Sequence, residues 1–171
     1  MTGTSAQNNP AAKRLDALLS RAEIHDLCMA YCRGVDRADA ELIRSVFTPD
    51  ASVSLGITEG SVEQFASDVT GFVTNNAQSL FHAVANEWIA VDGDRGVGEL
   101  YVIAIVIADG QEAVTGGRYL DRYERRDGRW LIARRVFVTD WTSNRPATNA
   151  AVAIGRTDGA DPVHALWESL Q

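Results

Sequence analysis

LFHAVANEWIAVDGDRG, residues 80–96, carries the choice of fold. Read as an extended segment, it sets Phe81, Ala83, Ala85, Ile89 and Val91 on one face and His82, Val84, Asn86 and Trp88 on the other. Asp92-Gly93 then supplies a turn, and Asp-Gly after an alternating run is the strongest short hairpin signal. The same pattern repeats downstream. Alternating segments span about 80–91, 96–108, 112–126 and 129–141, separated by DGDR, DG and DG. They predict an antiparallel meander. Gly116-Gly117, midway along the third segment, predicts a bulge or bend that curls the sheet.

Upstream the period is helical. Ser20 and Glu23 form a capping-box pattern, and Ile24, Leu27, Cys28, Tyr31 and Val35 follow at helical spacing. AELIRSVF (40–47) predicts a second, short helix stopped by Thr48-Pro49-Asp50, and ASVSL (51–55) a short strand. SVEQFASDVTGFV (61–73) predicts a third helix, with a capping box at Ser61 and Gln64. Helices followed by a meander make an α+β fold: a cone-shaped barrel of curved antiparallel (mixed) sheet, closed on one side by helices and open at a mouth. Residues 1–10 read as a polar, disordered tail, 11–142 as a single domain, and 143–171 as an extension. In that extension Asp161 and Pro162 open a helix, DPVHALWESL, placed over the mouth or on a neighbouring subunit.

Composition narrows the function classes. The chain has 171 residues, 46% hydrophobic and 23% charged, which fits one soluble globular domain. A net charge of −7 argues against nucleic acid and anionic membranes as partners. The longest apolar run, LYVIAIVIA (100–108), is too short to span a bilayer, and MTGTSAQNNPAAKR lacks a secretory pattern, so a cytoplasmic protein is expected. Cys28 and Cys32, the only cysteines, share a helix face without a second ligand pair and read as buried thiols. GDRGVG (93–98) reads as a hairpin turn; no Walker loop, Gly-x-Ser-x-Gly elbow or His/Glu metal motif occurs, and no cofactor is expected.

YCRGVDRAD (31–39), FTPDA (47–51), Phe81-His82 with Asn86, and GGRY (116–119) leading to YERRDGRWLI (123–132) and Arg135 resemble the SnoaL-like branch of the nuclear transport factor 2-like superfamily. Within it the chain is similar to hexachlorocyclohexane dehydrochlorinases and scytalone dehydratases. The resemblance covers roughly residues 18–142 and implies a cone-shaped α+β barrel that forms homodimers or homotrimers. It places a catalytic Asp–His dyad on Asp36 and His82 and a pocket arginine on Arg135. A pocket lysine of the dehydrochlorinases falls on Tyr31, and the second histidine of the dehydratases has no counterpart. A tyrosine hydroxyl suits polarising a carbonyl or holding a hydroxyl better than receiving chloride, so dehydration or enolisation fits better than dehydrochlorination.

The residue types fit proton transfer in their own right. A histidine base needs a carboxylate on its other nitrogen to fix the tautomer and stabilise the imidazolium. His82 is the only histidine in a predicted strand, and Asp36 ends the apolar stripe of the first helix. Alternation lets only one of Arg134 and Arg135 face the cavity; the resemblance selects Arg135, and a rim arginine paired to Asp121 or Glu124 is the alternative. Tyr31, Phe47, Phe72, Trp88, Tyr101 and Trp141 are candidates for an aromatic wall or, each alone, for plain core packing, and Asn86 for orienting a substrate oxygen. The expected function is a cofactor-free lyase, dehydratase or isomerase acting on a small hydrophobic ring compound (steroid-, terpenoid- or polyketide-like). A non-catalytic ligand-binding or assembly domain and a polyketide-type cyclase are the alternatives.

Overall fold

A computed structural model describes residues 9–56, 58–148, 155–158 and 160–169. Helix α1 (Pro10–Asp36) starts where Asn9 accepts the Ala11 N–H at 3.0 Å, with Pro10 at a position that has no N–H to satisfy. The Ser20-Glu23 pair is therefore not a helix start. Ser20 is buried within α1, its hydroxyl donating to the Asp16 carbonyl at 2.7 Å. The expected tail to residue 10 ends at this cap, and residues 1–8 lie outside the described ones. Ile24, Cys28, Tyr31, Cys32 and Val35 form the buried stripe of α1.

Helix α2 (Ala40–Ser45) is capped by Asp39, which accepts the Leu42 N–H at 2.9 Å. Phe47, expected to end that helix, opens β1 (Phe47–Ser54) instead, and Thr48-Pro49-Asp50 continues as strand. The pairing of β1 is irregular between Phe47 and Ser52, the stretch holding Pro49, which has no N–H to give a neighbour. β2 (Glu59–Ser61) leads into α3 (Val62–Asn75), where the Ser61 hydroxyl accepts the Gln64 N–H at 3.2 Å, as the capping pattern predicts.

The meander follows as β3 (Ala77–Asp92), β4 (Arg95–Ala108), β5 (Gln111–Arg126) and β6 (Arg129–Pro146). β6 runs beyond the expected domain edge at residue 142. A short α4 (Val163–Glu168) lies in the C-terminal extension. The strands form one open, mixed sheet in the order β2-β1-β6-β5-β4-β3, in which only β1 and β6 run parallel. Its inner face packs on α1, α2 and α3. Among the described residues, no helix is long and apolar enough to cross a membrane.

Three of the sheet's irregularities decide which side chains of β3, β5 and β6 face inward. Between Val84 and Glu87, β3 holds one residue more than β4, because Val84 pairs Val102 while Glu87 pairs Leu100. Glu87, Ile89 and Val91 therefore share the inner side with His82 and Val84, and Trp88 turns out. On β6, Ala133 is the extra residue opposite Arg122 and Tyr123, which puts Arg135 on the same side as Ile132. The third lies at Gly116-Gly117, as their position in the sequence predicts.

Both glycines are required by close approach. A methyl group on Gly116 would meet the Trp141 ring on the outer face at 2.2 Å. One on Gly117 would lie 2.4 Å from the Val138 carbonyl oxygen and 2.6 Å from the Phe137 ring on the inner face. The Val138 contact is with backbone and cannot be relieved by a rotamer change. Gly117→Ala is predicted to cost about 2 kcal/mol of stability, read from urea unfolding; an unchanged midpoint would mean that the strand can shift freely there.

Candidate functional site

Asp36 is the last residue of α1, and its carboxylate is spent on one residue of β3. One oxygen accepts the His82 backbone N–H at 3.0 Å, and the other lies 2.5 Å from His82 Nδ1. The two side chains are only 7% and 16% exposed for His82 and Asp36. With Nδ1 held by the carboxylate, Nε2 is the ring nitrogen left for a substrate.

His82 borders a cavity of about 390 Å³ between the inner sheet face and the helices. Tyr31 and Val35 reach it from α1, Phe65, Val69 and Phe72 from α3, and Tyr119 and Phe137 from β5 and β6. In the middle strands small residues leave the room. His82, Ala104 and Thr115 stand side by side across β3, β4 and β5, and Ala113 lies one inner position further along β5. The wall is almost wholly apolar; its side-chain polar groups are those of Tyr31, His82, Thr115 and Tyr119. A neutral ring compound with one or two oxygen functions matches such a lining. On the far side of Asp36 lies a more polar cleft of about 450 Å³, bordered by Arg37, Ser79 and residues 155–158 of the C-terminal extension.

A charged layer is buried next to this cavity. Arg135, fully buried, makes two hydrogen bonds to its cross-strand partner Asp121, Nε at 2.8 Å and Nη2 at 2.7 Å. Tyr123 donates to the same carboxylate at 2.6 Å. The guanidinium lies between two tyrosine rings, 4.1 Å from the Tyr31 centroid and 4.3 Å from that of Tyr119. Two aromatic faces and a paired carboxylate offset the cost of desolvating this cation. Burial pushes the Tyr31 and Tyr119 hydroxyls well above the ordinary tyrosine range, and the Arg135 charge only partly opposes it. Both remain hydroxyl donors at neutral pH. Burial also pushes the Cys32 thiol up to about 12 and raises that of Cys28, so both cysteines sit as uncharged packing groups. Among the described residues no three His, Cys, Asp or Glu side chains gather as a metal ion would require.

The residues expected in the site therefore divide. Asp36, His82 and Tyr31 come together, and Phe72 joins the wall. Arg135 faces inward but does not line the cavity, because Asp121 and the tyrosine rings enclose it. Phe47 is buried edge-on against Tyr31, with centroids 5.8 Å apart, as core packing. Asn86 falls in the β3 bulge and is exposed, and Trp88, 78% exposed, points away from the cavity. Tyr101 and Trp141 lie on the outer sheet face. Tyr119, Thr115, Phe137 and Phe65 were not anticipated. Counting alternate residues back from Tyr123, whose register is set by the Asp127-Gly128 turn, would have flagged Tyr119 and Asp121.

Comparison with known proteins agrees with this architecture. The chain is 27% identical over 135 residues to the gamma-hexachlorocyclohexane dehydrochlorinase of Sphingobium indicum, covering 74% of this chain and 85% of that protein. A crystal structure of a type 2 hexachlorocyclohexane dehydrochlorinase superposes with a TM-score of 0.71 at 25% identity, over 81% of this chain and 97% of the other. A candidate scytalone dehydratase from Novosphingobium aromaticivorans shares the fold, with a TM-score of 0.68 at 22% identity over 81% and 95% of the two chains. The SnoaL-like domain family matches residues 16–136, and the chain belongs to that family.

Proposed function

We propose that the protein is a lyase or isomerase that moves a proton on a small hydrophobic ring compound, with His82 as base and Asp36 as its orienting partner. The observation that carries this reading is the Asp36 carboxylate on His82 Nδ1 beside an apolar cavity. The substrate enters with a carbon acid next to an activating oxygen group. His82 Nε2 takes the proton from that carbon, and Asp36 stabilises the imidazolium that forms. Tyr31 donates a hydrogen bond to the oxygen on which negative charge develops. The His82 imidazolium then gives that proton up, either to a departing β-hydroxyl, which leaves as water as the C–O bond breaks, or to a different carbon, completing a dehydration or an isomerisation. Similarity to dehydrochlorinases supports a lyase-type reaction, while Tyr31, at the position where the family resemblance implies a pocket lysine, favours an oxygen leaving group or an enolate over chloride.

Hydrogen–deuterium exchange at the α-carbons of cyclic ketones in D₂O, followed by proton NMR, tests this without knowledge of the natural substrate. The wild-type protein is expected to accelerate exchange, His82→Gln to lose about 10²–10⁴-fold of that acceleration, and Asp36→Asn to lose much of it. Exchange as fast in His82→Gln as in the wild type, or no faster than without protein, would overturn the reading and favour a binding domain.

The outer sheet face supports self-association as a homodimer or homotrimer. Phe81, Tyr101, Ile103, Leu120 and Trp141 expose large apolar surfaces there, which is more than an isolated sheet face usually leaves to water. On the same strands Arg118 is paired with Glu99 and Asp140, and Arg145 with Glu112, so the charges beside this apolar surface are neutralised within one copy apart from one excess carboxylate. Sedimentation is expected to give a multiple of the 18.6 kDa chain, reduced by Ile103→Glu. A monomeric wild type would refute self-association.

A further inference from the structure

Arg135 is the largest fully buried side chain of the described residues, and the reading above gives it no contact with substrate. Its placement is nonetheless specific. Asp121 locks the guanidinium plane through two hydrogen bonds, and the Tyr31 and Tyr119 rings flank it. Nη1 is buried without a hydrogen-bond partner among the described residues, so hydrogen bonds leave part of the charge uncompensated. The two tyrosine rings meet edge to face, with centroids 5.5 Å apart, and both tyrosines line the cavity that His82 borders.

We propose that Tyr119 is a second hydrogen-bond donor to the oxygen that gains negative charge, acting as a pair with Tyr31, and that Arg135 is a positioning residue that serves both through their ring faces without touching substrate. A hydroxyl that donates to an anion passes part of the negative charge into its own ring. A cation about 4 Å from the ring face stabilises that charge, and it does so strongly where water is excluded. Phe137 packs on the Tyr119 ring at 5.4 Å between centroids, and Phe65 stacks on Tyr31 at 6.1 Å, so neither ring can swing away. Because burial holds both phenols protonated, they act by donating hydrogen bonds and not by giving up protons. The pair thus forms a preorganised oxyanion site fed by α1 and β5, opposite in role to the His82–Asp36 base. It also defines the substrate class further. The ligand carries an oxygen able to take two donors, such as an enone or β-hydroxy ketone carbonyl, in an otherwise apolar body.

This inference rests on the proton-transfer reading, but its test does not need turnover. 4-Nitrophenol serves as the probe, because its visible absorbance reports whether the bound molecule is phenol or phenolate. The bound pKa is expected about one unit or more below that in water, a shift that favours the anion roughly tenfold. Tyr119→Phe, which keeps the ring on Arg135 and removes only the hydroxyl, should abolish most of the shift, and Arg135→Lys should weaken it. If Arg135→Lys does not fold, Tyr119→Phe decides alone. Failure of 4-nitrophenol to bind, a bound pKa equal to that in water, or a shift that survives Tyr119→Phe would overturn the proposal. His82→Gln should retain a lowered bound pKa while losing ketone exchange. If the wild type shows no exchange yet keeps a Tyr119-dependent shift, the lyase reading falls and the oxyanion site stands.

Discussion

The carboxylate of Asp36 ties the end of α1 to the middle of β3, a strand that α1 also meets further back through His25, whose Nδ1 lies 2.9 Å from the Glu87 carboxylate. Asp36 engages both the backbone N–H and the ring of His82, so one side chain links the helix end to β3 and leaves Nε2 as the imidazole nitrogen available. Much of the remaining architecture holds these two elements at that distance. The buried stripe of α1 beds the helix on the inner sheet face, and Val35 and Tyr31 bring that stripe to the cavity wall next to Asp36.

The inner face solves two problems at different places. One part is filled to a tight core by Ile24, Ile43, Leu100 and Ile132, with the Arg135–Asp121 pair buried among aromatic rings. Another is left open, because Ala104, Ala113 and Thr115 are too small to reach the helices. Tyr31 and Tyr119 are common to both: their rings lie against the cation, and both residues line the cavity. A buried ion pair is rarely the cheapest way to fill a core, since well-packed apolar side chains often do as well. Here the pair lies against the rings of the two hydroxyl-bearing tyrosines that line the cavity.

How much of this the sequence reveals depends on whether local rules survive the sheet's irregularities. The Asp-Gly turns at 92–93, 109–110 and 127–128 are legible because the turn itself selects those residues, and Gly93, Gly110 and Gly128 indeed adopt positive φ. The helical stripe from Ile24 to Val35 is legible for the same local reason. The faces of the strands are not. Alternation read straight through the β3 bulge assigns Asn86 and Trp88 to the side of His82, and one inserted residue reverses the assignment from that point on. Ala133 does the same on β6, where Arg135 joins Ile132 and Trp130 instead of opposing them. The helical pattern runs on through Phe47 because an apolar residue at helical spacing after LIRSV is equally at home opening a buried strand. Ser20 mimics a cap because the true start depends on Asn9-Pro10, which lies in what reads as a polar tail. Asp36 and Tyr31 are legible because they lie on an uninterrupted helix, and His82 because it lies in the regular stretch of β3 between the shift at Ala77–Ser79 and the bulge at Val84–Glu87, while Tyr119 needs the register of the last hairpin.

The state of the His82 ring is the most direct measurement of the central claim. Long-range proton–nitrogen correlation spectra distinguish a neutral imidazole protonated on Nδ1 from one protonated on Nε2. The Nδ1–H form is expected in the wild-type protein, with Nε2 unprotonated toward the cavity, and a loss of that preference in Asp36→Asn. A ring protonated on Nε2 in the wild type, or a tautomer indifferent to Asp36→Asn, would mean that the carboxylate does not set the base, and the proton-transfer reading would be wrong.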